Sequence, residues 1–278
     1  VIEKINKALR WFDARNVNLL VTAQTDRDLI AFSPNGKFYA SVGAGQNLTP
    51  VVRVVDFQSD GSSETGDSVS QDNSTPEAQE QAVESGNDVQ SEKSAQVDII
   101  PPNIQNSWQW GTLSVSDNGR VAYAFDNSVK PFVELADGVS GEVLASFSPS
   151  KLMAALSADG NQLLLPMANP EDENDPIFIC LDVTDPQNTT ELWTLYWSKV
   201  GSQTSVTSLA LNPDGKEAVF GDYNGDIFLV DTLKGETVAV LKGHTNQVAS
   251  LAFSSDGKTL YSSSGDGTLR VWGISDVP

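Results

Sequence analysis

Residues 206–231 read VTSLALNPDGKEAVFGDYNGDIFLVD and residues 248–273 read VASLAFSSDGKTLYSSSGDGTLRVWG. The two stretches superimpose without a gap at a period of 42 residues. Each opens on an alternating strand, turns at Asp214-Gly215 or Asp256-Gly257 and continues into a second strand. A second turn (Asn224-Gly225 or Asp266-Gly267) then leads to a third strand, and Glu236–Leu241 supplies a fourth between the units. Four antiparallel strands per repeat make a propeller blade rather than an array of hairpins.

Outward from this pair, the first turn recurs along the chain. Asn35-Gly36, Asn118-Gly119 and Asp159-Gly160 stand, like Asp214-Gly215 and Asp256-Gly257, two residues beyond an apolar run that ends at Phe32, Val115, Leu156, Leu211 or Phe253. Asn-Gly and Asp-Gly accept positive φ, so a type I′ hairpin turn is expected at each. Five turns in one local setting predict one repeated unit, hence five blades.

The last blade resembles the WD-repeat family. Gly243-His244 matches that family's Gly-His pair, Asp266-Gly267-Thr268 its turn between second and third strands, and Val271-Trp272 its closing strand. The usual Trp-Asp ending is here Trp272-Gly273, whereas earlier blades keep the aspartate and lose the tryptophan (Asp56, Asp137, Asp182, Asp231). The resemblance is closest over 204–273, weaker over 25–56 and 110–138, and weakest over 150–195. It implies an all-β propeller. It also implies a structural network in which Asp266 accepts from His244, His244 contacts Ser262, and Ser262 meets the Trp272 indole. In blade four Ser202, Phe220, Asn224 and Val230 stand at those places, so the network is not expected there.

The N-terminus keeps the same register, since residues 17–37 align without gaps on 238–258. Val17–Val21 then reads as an outer strand, placed to complete the last blade, and Asp28–Ser33 as the inner strand of the first. Residues 1–16 carry two readings. Ala8–Asp13 resembles a third strand ending in aspartate, left from a preceding blade, while Ile2, Ile5, Leu9 and Phe12 fall at helical spacing. The propeller is accordingly either a complete five-bladed ring or the C-terminal part of a larger one.

The chain has 278 residues and a net charge of −20, and no apolar run reaches the roughly 18 residues of a membrane span. The cytoplasm is favoured, in the absence of a visible secretory signal. Cys180 is the single cysteine, set in an apolar strand, so no internal disulfide forms. Residues 57–99 hold ten acidic side chains and one lysine. That composition predicts an acidic disordered insertion between blades one and two, suited to solvent or to a basic partner. No basic face appears, which argues against nucleic acid as a direct ligand.

His244 is the only histidine, so paired-histidine metal sites are excluded and His244, Ser262, Asp266 and Trp272 read as structural. No phosphate-binding glycine loop and no CxxC occurs. The acids of Asn169–Pro176 are consecutive and lack the glycine turn of a calcium loop, so neither metal nor cofactor is expected. The inner-strand stretches carry no glutamate, and Asp28 alone opens one, against a carboxylate pair in the channel. The expectation is a non-catalytic scaffold that presents loop surfaces to a protein or peptide. The candidate contact residues are Asp26, Arg27, Trp108, Asn127, Glu171, Asp172, Gln203, Tyr223 and Asn246, with Trp108 and Tyr223 as aromatic anchors. Trp110 is assigned to blade packing. A carbohydrate or small-ligand propeller ranks second, but the tryptophans do not recur at one blade position; a propeller hydrolase ranks third.

Overall fold

The computed structural model describes residues 29–44, 50–56, 95–101, 109–126, 130–172, 175–202 and 204–274, and the backbone of 2–5, 8–12 and 19–24. The first sheet is a meander of β1 (Ile2–Ile5), β2 (Ala8–Phe12) and β3 (Leu19–Gln24). Where the sequence left a helix and a strand open for residues 1–16, the described backbone, Ile2–Ile5 and Ala8–Phe12, is paired strand, with Ile2 opposite Trp11 and Ile5 opposite Ala8. The outer strand expected at 17–21 lies at Leu19–Gln24, and it pairs with β2 rather than with the last blade.

Five blades follow. Blade one comprises β4 (Leu29–Phe32), β5 (Phe38–Ala44), β6 (Pro50–Asp56) and β7 (Ala95–Ile99). Blade two comprises β8 (Gln109–Val115), β9 (Arg120–Asp126), β10 (Pro131–Asp137) and β11 (Val143–Phe147). Blade three comprises β12 (Ala155–Leu156), β13 (Gln162–Met167), β14 (Ile177–Asp182) and β15 (Thr190–Tyr196). After the single turn of helix α1 (Trp197–Val200), blade four comprises β16 (Val206–Leu211), β17 (Glu217–Asp222), β18 (Ile227–Asp231) and β19 (Glu236–Leu241). Blade five has β20 (Val248–Phe253), β21 (Thr259–Ser264) and β22 (Leu269–Gly273), with no outer strand among the described residues.

The inner strands β4, β8, β12, β16 and β20 lie side by side in that order and line a central channel. Alternation sends one face of each sheet to the preceding blade and the other to the next. Phe38, Val54, Val121 and Tyr123 close blade one on blade two, and Ala122, Leu135, Leu163 and Leu165 close two on three. Phe178, Leu195, Trp197 and Phe220 close three on four, and Val219, Ile227, Val248 and Leu260 close four on five. The core is thus a series of layers between blades, each burying aliphatic and aromatic surface. Trp110 sits in the first of them beside Tyr123 and Phe125. The Cys180 thiol is buried and its pKa is pushed up to about 12 by burial and by Asp182.

Polar groups stitch the layers at the channel. Thr112 Oγ1 donates to Ala154 O at 3.2 Å and accepts from Ala154 N at 2.7 Å, while Ser114 Oγ accepts from Leu156 N at 3.1 Å. Thr207 Oγ1 donates to Val248 O at 2.7 Å. These bonds explain the brevity of β12: the inner-strand stretch expected from Lys151 pairs with β13 only at Ala155 and Leu156, and Ala154 turns to blade two. On the other rim the Arg120 guanidinium of blade two donates to the carbonyls of Gly160 at 3.0 Å and Val183 at 2.7 Å in blade three.

The repeated first turn is not type I′. Gly36 N donates to Ser33 O at 2.9 Å, and Gly215 N to Asn212 O at 2.8 Å, so Pro34-Asn35 and Pro213-Asp214 are the central residues. Proline holds φ negative, which excludes the primed turn. The glycine follows in the left-handed region, at φ +73° for Gly36 and +74° for Gly215, as in hairpin loops built on an unprimed turn. The Asn or Asp side chain before it accepts the amide two residues on, at Lys37 and Lys216 for instance, and seals the loop. The strand-ending aspartates secure the turns that follow them in a similar way. Asp137 accepts from Val139 N and Ser140 N, and Asp231 from Leu233 N and Lys234 N.

The insertion reading needs one correction. Ala95–Ile99, assigned to it, is the outer strand of blade one, with Val54 opposite Val97 and Val52 opposite Ile99. Val97 and Ile99 alternate with polar neighbours and supply the apolar face that the acidic stretch lacks. Residues 57–94, where the disordered insertion was expected, lie outside the described residues.

Candidate interaction face

The turns between second and third strands share one rim with the loops that enter the inner strands. Among the candidate contact residues, Glu171, Asp172, Tyr223 and Asn246 are described; Asp26, Arg27, Trp108, Asn127 and Gln203 lie outside the described residues.

In blade five the rim is held by the four residues singled out as a structural network. His244 Nδ1 lies 3.0 Å from Asp266 Oδ2, His244 Nε2 2.8 Å from Ser262 Oγ, and Trp272 Nε1 donates to Ser262 Oγ at 2.8 Å. One proton assignment satisfies every group: Trp272 donates to Ser262, Ser262 to His244 Nε2, and His244 Nδ1–H to Asp266. Asp266 also accepts from the Thr268 hydroxyl at 2.7 Å and from Thr245 N at 3.0 Å. Those bonds, the Thr268 hydroxyl foremost and the Thr245 amide next, hold its carboxyl far below the usual carboxylate range. A nucleophile needs an open approach and a base to spare. Ser262 is 1% exposed, with its hydroxyl engaged on both sides, so the arrangement is a clamp from entry loop to third strand.

Blade four has a clamp of its own, which the sequence comparison missed. Its carboxylate is Asp222, buried two residues earlier than the position compared with Asp266. Asp222 Oδ2 accepts from Ser202 Oγ at 2.7 Å and Thr204 Oγ1 at 3.1 Å, and its Oδ1 takes the amides of Asn224 and Asp226 at 2.9 Å each. The tryptophan comes from the entry loop: Trp197 Nε1 donates to Thr204 O at 2.6 Å, and its ring meets Phe178, Phe220 and Phe228. Ser202 does stand where His244 stands in blade five; the shift of the acid by two places hides the equivalence. The signal available was Asp222 itself, opening the turn Asp222-Tyr223-Asn224-Gly225.

The clamps join neighbouring loops. In blade three, Asp175 accepts from Ser198 N at 2.7 Å and Ser198 Oγ at 2.6 Å, tying the acidic loop to α1. Tyr223 N donates to Ser205 O at 3.1 Å. Gly225, at φ +93°, sits so close to blade five that a Cβ there would lie 2.7 Å from His244 O and 2.8 Å from Asn246 O. The turn that carries Tyr223 thus packs, at Gly225, on the loop that carries Asn246. Tyr223 is 59% exposed, and Asn246, Glu171 and Asp172 are exposed as well. Lys242 pairs with Asp226 at 2.6 Å, while Lys151 reaches Val206 O at 3.3 Å from the entry loop of blade three, where burial lowers its pKa.

Residues 235–273 match the model of the WD domain, G-beta repeat family. Among curated proteins, SEC12-like protein 2 of Arabidopsis thaliana is 28% identical over 162 residues, 58% of this chain and 38% of that protein. An uncharacterized WD repeat-containing protein of Synechocystis is 33% identical over 144 residues, 50% of this chain and 34% of its own. The guanine nucleotide-binding protein subunit beta-5b of Danio rerio is 46% identical over 55 residues, 20% of this chain and 13% of its own. The chain thus spans less than two fifths of the length of each. No helix among the described residues is long and apolar enough to cross a membrane. Residues 235–273 therefore match a WD repeat, and the blades that share its register make the chain similar to WD-repeat β-propellers.

Proposed function

We propose that this protein is a non-catalytic interaction scaffold that receives a protein or peptide on the loop rim of blades three to five. The supporting observation is the bonded continuity of that rim. Asp175 ties to Ser198, Thr204 to Asp222, and the Gly225 turn rests on the entry loop of blade five. Loops of three blades are thereby held as one preorganised surface, which lowers the cost of ordering on binding. Tyr223, 59% exposed, would serve as an aromatic anchor, with Asn246 and the acidic pair Glu171 and Asp172 exposed on the loops of the adjoining blades, a setting suited to a basic segment. Trp108, Asn127, Gln203, Asp26 and Arg27 are included in the proposal from their places in the sequence repeat alone. The scaffold role fits the family, and the partner is specified here only by its chemistry.

The experiment is affinity capture with the immobilised chain, followed by quantitative mass spectrometry, for wild type, Tyr223→Ala and Trp108→Ala. A set of proteins depleted in both variants, whose melting temperatures match wild type, supports the rim as the binding surface. Unchanged capture by both variants would remove this face from consideration.

A further inference from the structure

Asn-Gly occurs at Asn35-Gly36, Asn118-Gly119 and Asn224-Gly225. All three asparagines are exposed, yet the fold holds their side chains differently. In the first two the carboxamide is part of its own turn. Asn35 Oδ1 accepts from Ser33 Oγ and from Lys37 N, at 2.8 Å each. Asn118 Oδ1 accepts from Ser116 Oγ at 2.6 Å and Arg120 N at 3.2 Å, and its Nδ2 donates to Asp159 O at 2.8 Å. In the third turn Asp222 has taken over that task. Its Oδ1 holds the amide of Asn224 and also that of Asp226, two residues on, the position whose amide the other two asparagines accept themselves. The Asn224 carboxamide is left without a hydrogen bond among the described residues. The bond that closes each turn, from the glycine amide back to the carbonyl three residues earlier, follows the same order. It is 2.9 Å at Gly36, 3.1 Å at Gly119 and 3.3 Å at Gly225.

We propose that Asn224 is a site of covalent modification, losing its side-chain amide by intramolecular deamidation faster than Asn35 or Asn118. The nucleophile is Gly225 N and the electrophile is Asn224 Cγ. The glycine amide gives its proton to hydroxide or water and attacks Cγ. A C–N bond forms, the side-chain nitrogen leaves as ammonia with a proton from solvent, and a succinimide ring closes. Water then opens the ring at either carbonyl, giving aspartate or isoaspartate with no change of oxidation state. Glycine suits the step because it has no Cβ to obstruct the approach and accepts the dihedrals the ring requires. A carboxamide held by two or three hydrogen bonds must release them first, so Asn35 and Asn118 react about tenfold or more slowly. Either product puts a negative charge next to Tyr223. Isoaspartate also lengthens the main chain by a methylene, in the turn whose Gly225 lies against His244 O and Asn246 O, and displaces that turn from blade five.

The test follows the folded chain over time in warm, mildly alkaline buffer, with digestion at acidic pH and mass-spectrometric mapping of the three peptides. Aspartate and isoaspartate forms are separated by chromatography. A parallel sample in concentrated urea supplies the unfolded reference, where all three pairs are free of their turns. The expected result in the folded chain is conversion at Asn224, with Asn35 and Asn118 about tenfold or more behind. The rate rises with pH, and the three sites converge in urea. Conversion at Asn35 or Asn118 that keeps pace with Asn224 in the folded chain overturns the proposal, as does an Asn224 that converts in urea alone.

Discussion

His244 Nε2 lies 2.8 Å from the Ser262 hydroxyl, which also accepts the Trp272 indole N–H. Ser262→Ala would leave both nitrogens without that partner in a place closed to water. The expected loss is about 1–3 kcal/mol of stability, read as a lower midpoint in urea unfolding. An unchanged midpoint would mean the clamp contributes nothing.

Asp266 carries a pH signature. Its folded pKa is depressed, first by the Thr268 hydroxyl and then by the Thr245 amide, so the folded state binds fewer protons than the unfolded. The stabilisation is whole above the ordinary carboxylate pKa of about 3.9 and is lost as pH falls below it toward the folded value. Melting curves of wild type should therefore drop more steeply on acidification than those of Asp266→Asn. Parallel curves would count against the carboxylate.

Glu134 has the opposite sign. It is 1% exposed, accepts from Tyr123 Oη at 2.5 Å and Ser146 Oγ at 3.2 Å, and has its pKa raised by burial. Such a group contributes stability below its unfolded pKa, and this is lost as pH rises through the folded value. Glu134→Gln keeps one acceptor oxygen and turns an amide N–H to the other hydroxyl, which can accept it, without the buried charge, so it should melt above wild type at neutral pH and level with it in acid.

Gly111 marks a close approach of β8 to the entry loop of blade three, for a Cβ there would overlap Leu152 O and Leu152 Cβ. Gly111→Ala must push β8 from blade three and should cost about 1–3 kcal/mol. Gly273→Ala, with nothing within 4 Å, is the control that should melt as wild type does.

Asp222→Ala strips partners from Ser202, Thr204 and the amides of Asn224 and Asp226. It should destabilise by about 1–3 kcal/mol and raise amide exchange in the Tyr223 turn more than in β16–β18. Exchange that rises evenly across blade four would show that the carboxylate does not hold this turn in particular.

Local chemistry was legible wherever a residue serves its own turn or strand. The five Asn/Asp-Gly pairs located five hairpins, because an amide-accepting side chain and a glycine free to take positive φ are needed within a few residues of each other. The turn type was missed at Pro34 and Pro213, whose ring forces the unprimed form. Ala95–Ile99 was absorbed into the acidic stretch, since a short outer strand shows its alternation only beside the strand that it covers. Asp222 escaped because its partners, Ser202 and Thr204, lie some 20 residues back in a loop without regular spacing.

The repeated four-strand unit, its inner strands and the place of His244, Ser262, Asp266 and Trp272 are written in the order of residues alone, because periodicity and turn chemistry act over a few positions. The folded chain adds which loops meet on the rim, that Gly225 rests on the blade-five entry loop, and that Tyr261, Leu269 and Val271 stay uncovered while Val219, Ile227 and Leu229 are buried. Those two triplets occupy equivalent places in the repeat. What separates them is whether a neighbouring blade packs on them, and burial between blades is a property of the assembled molecule rather than of either strand.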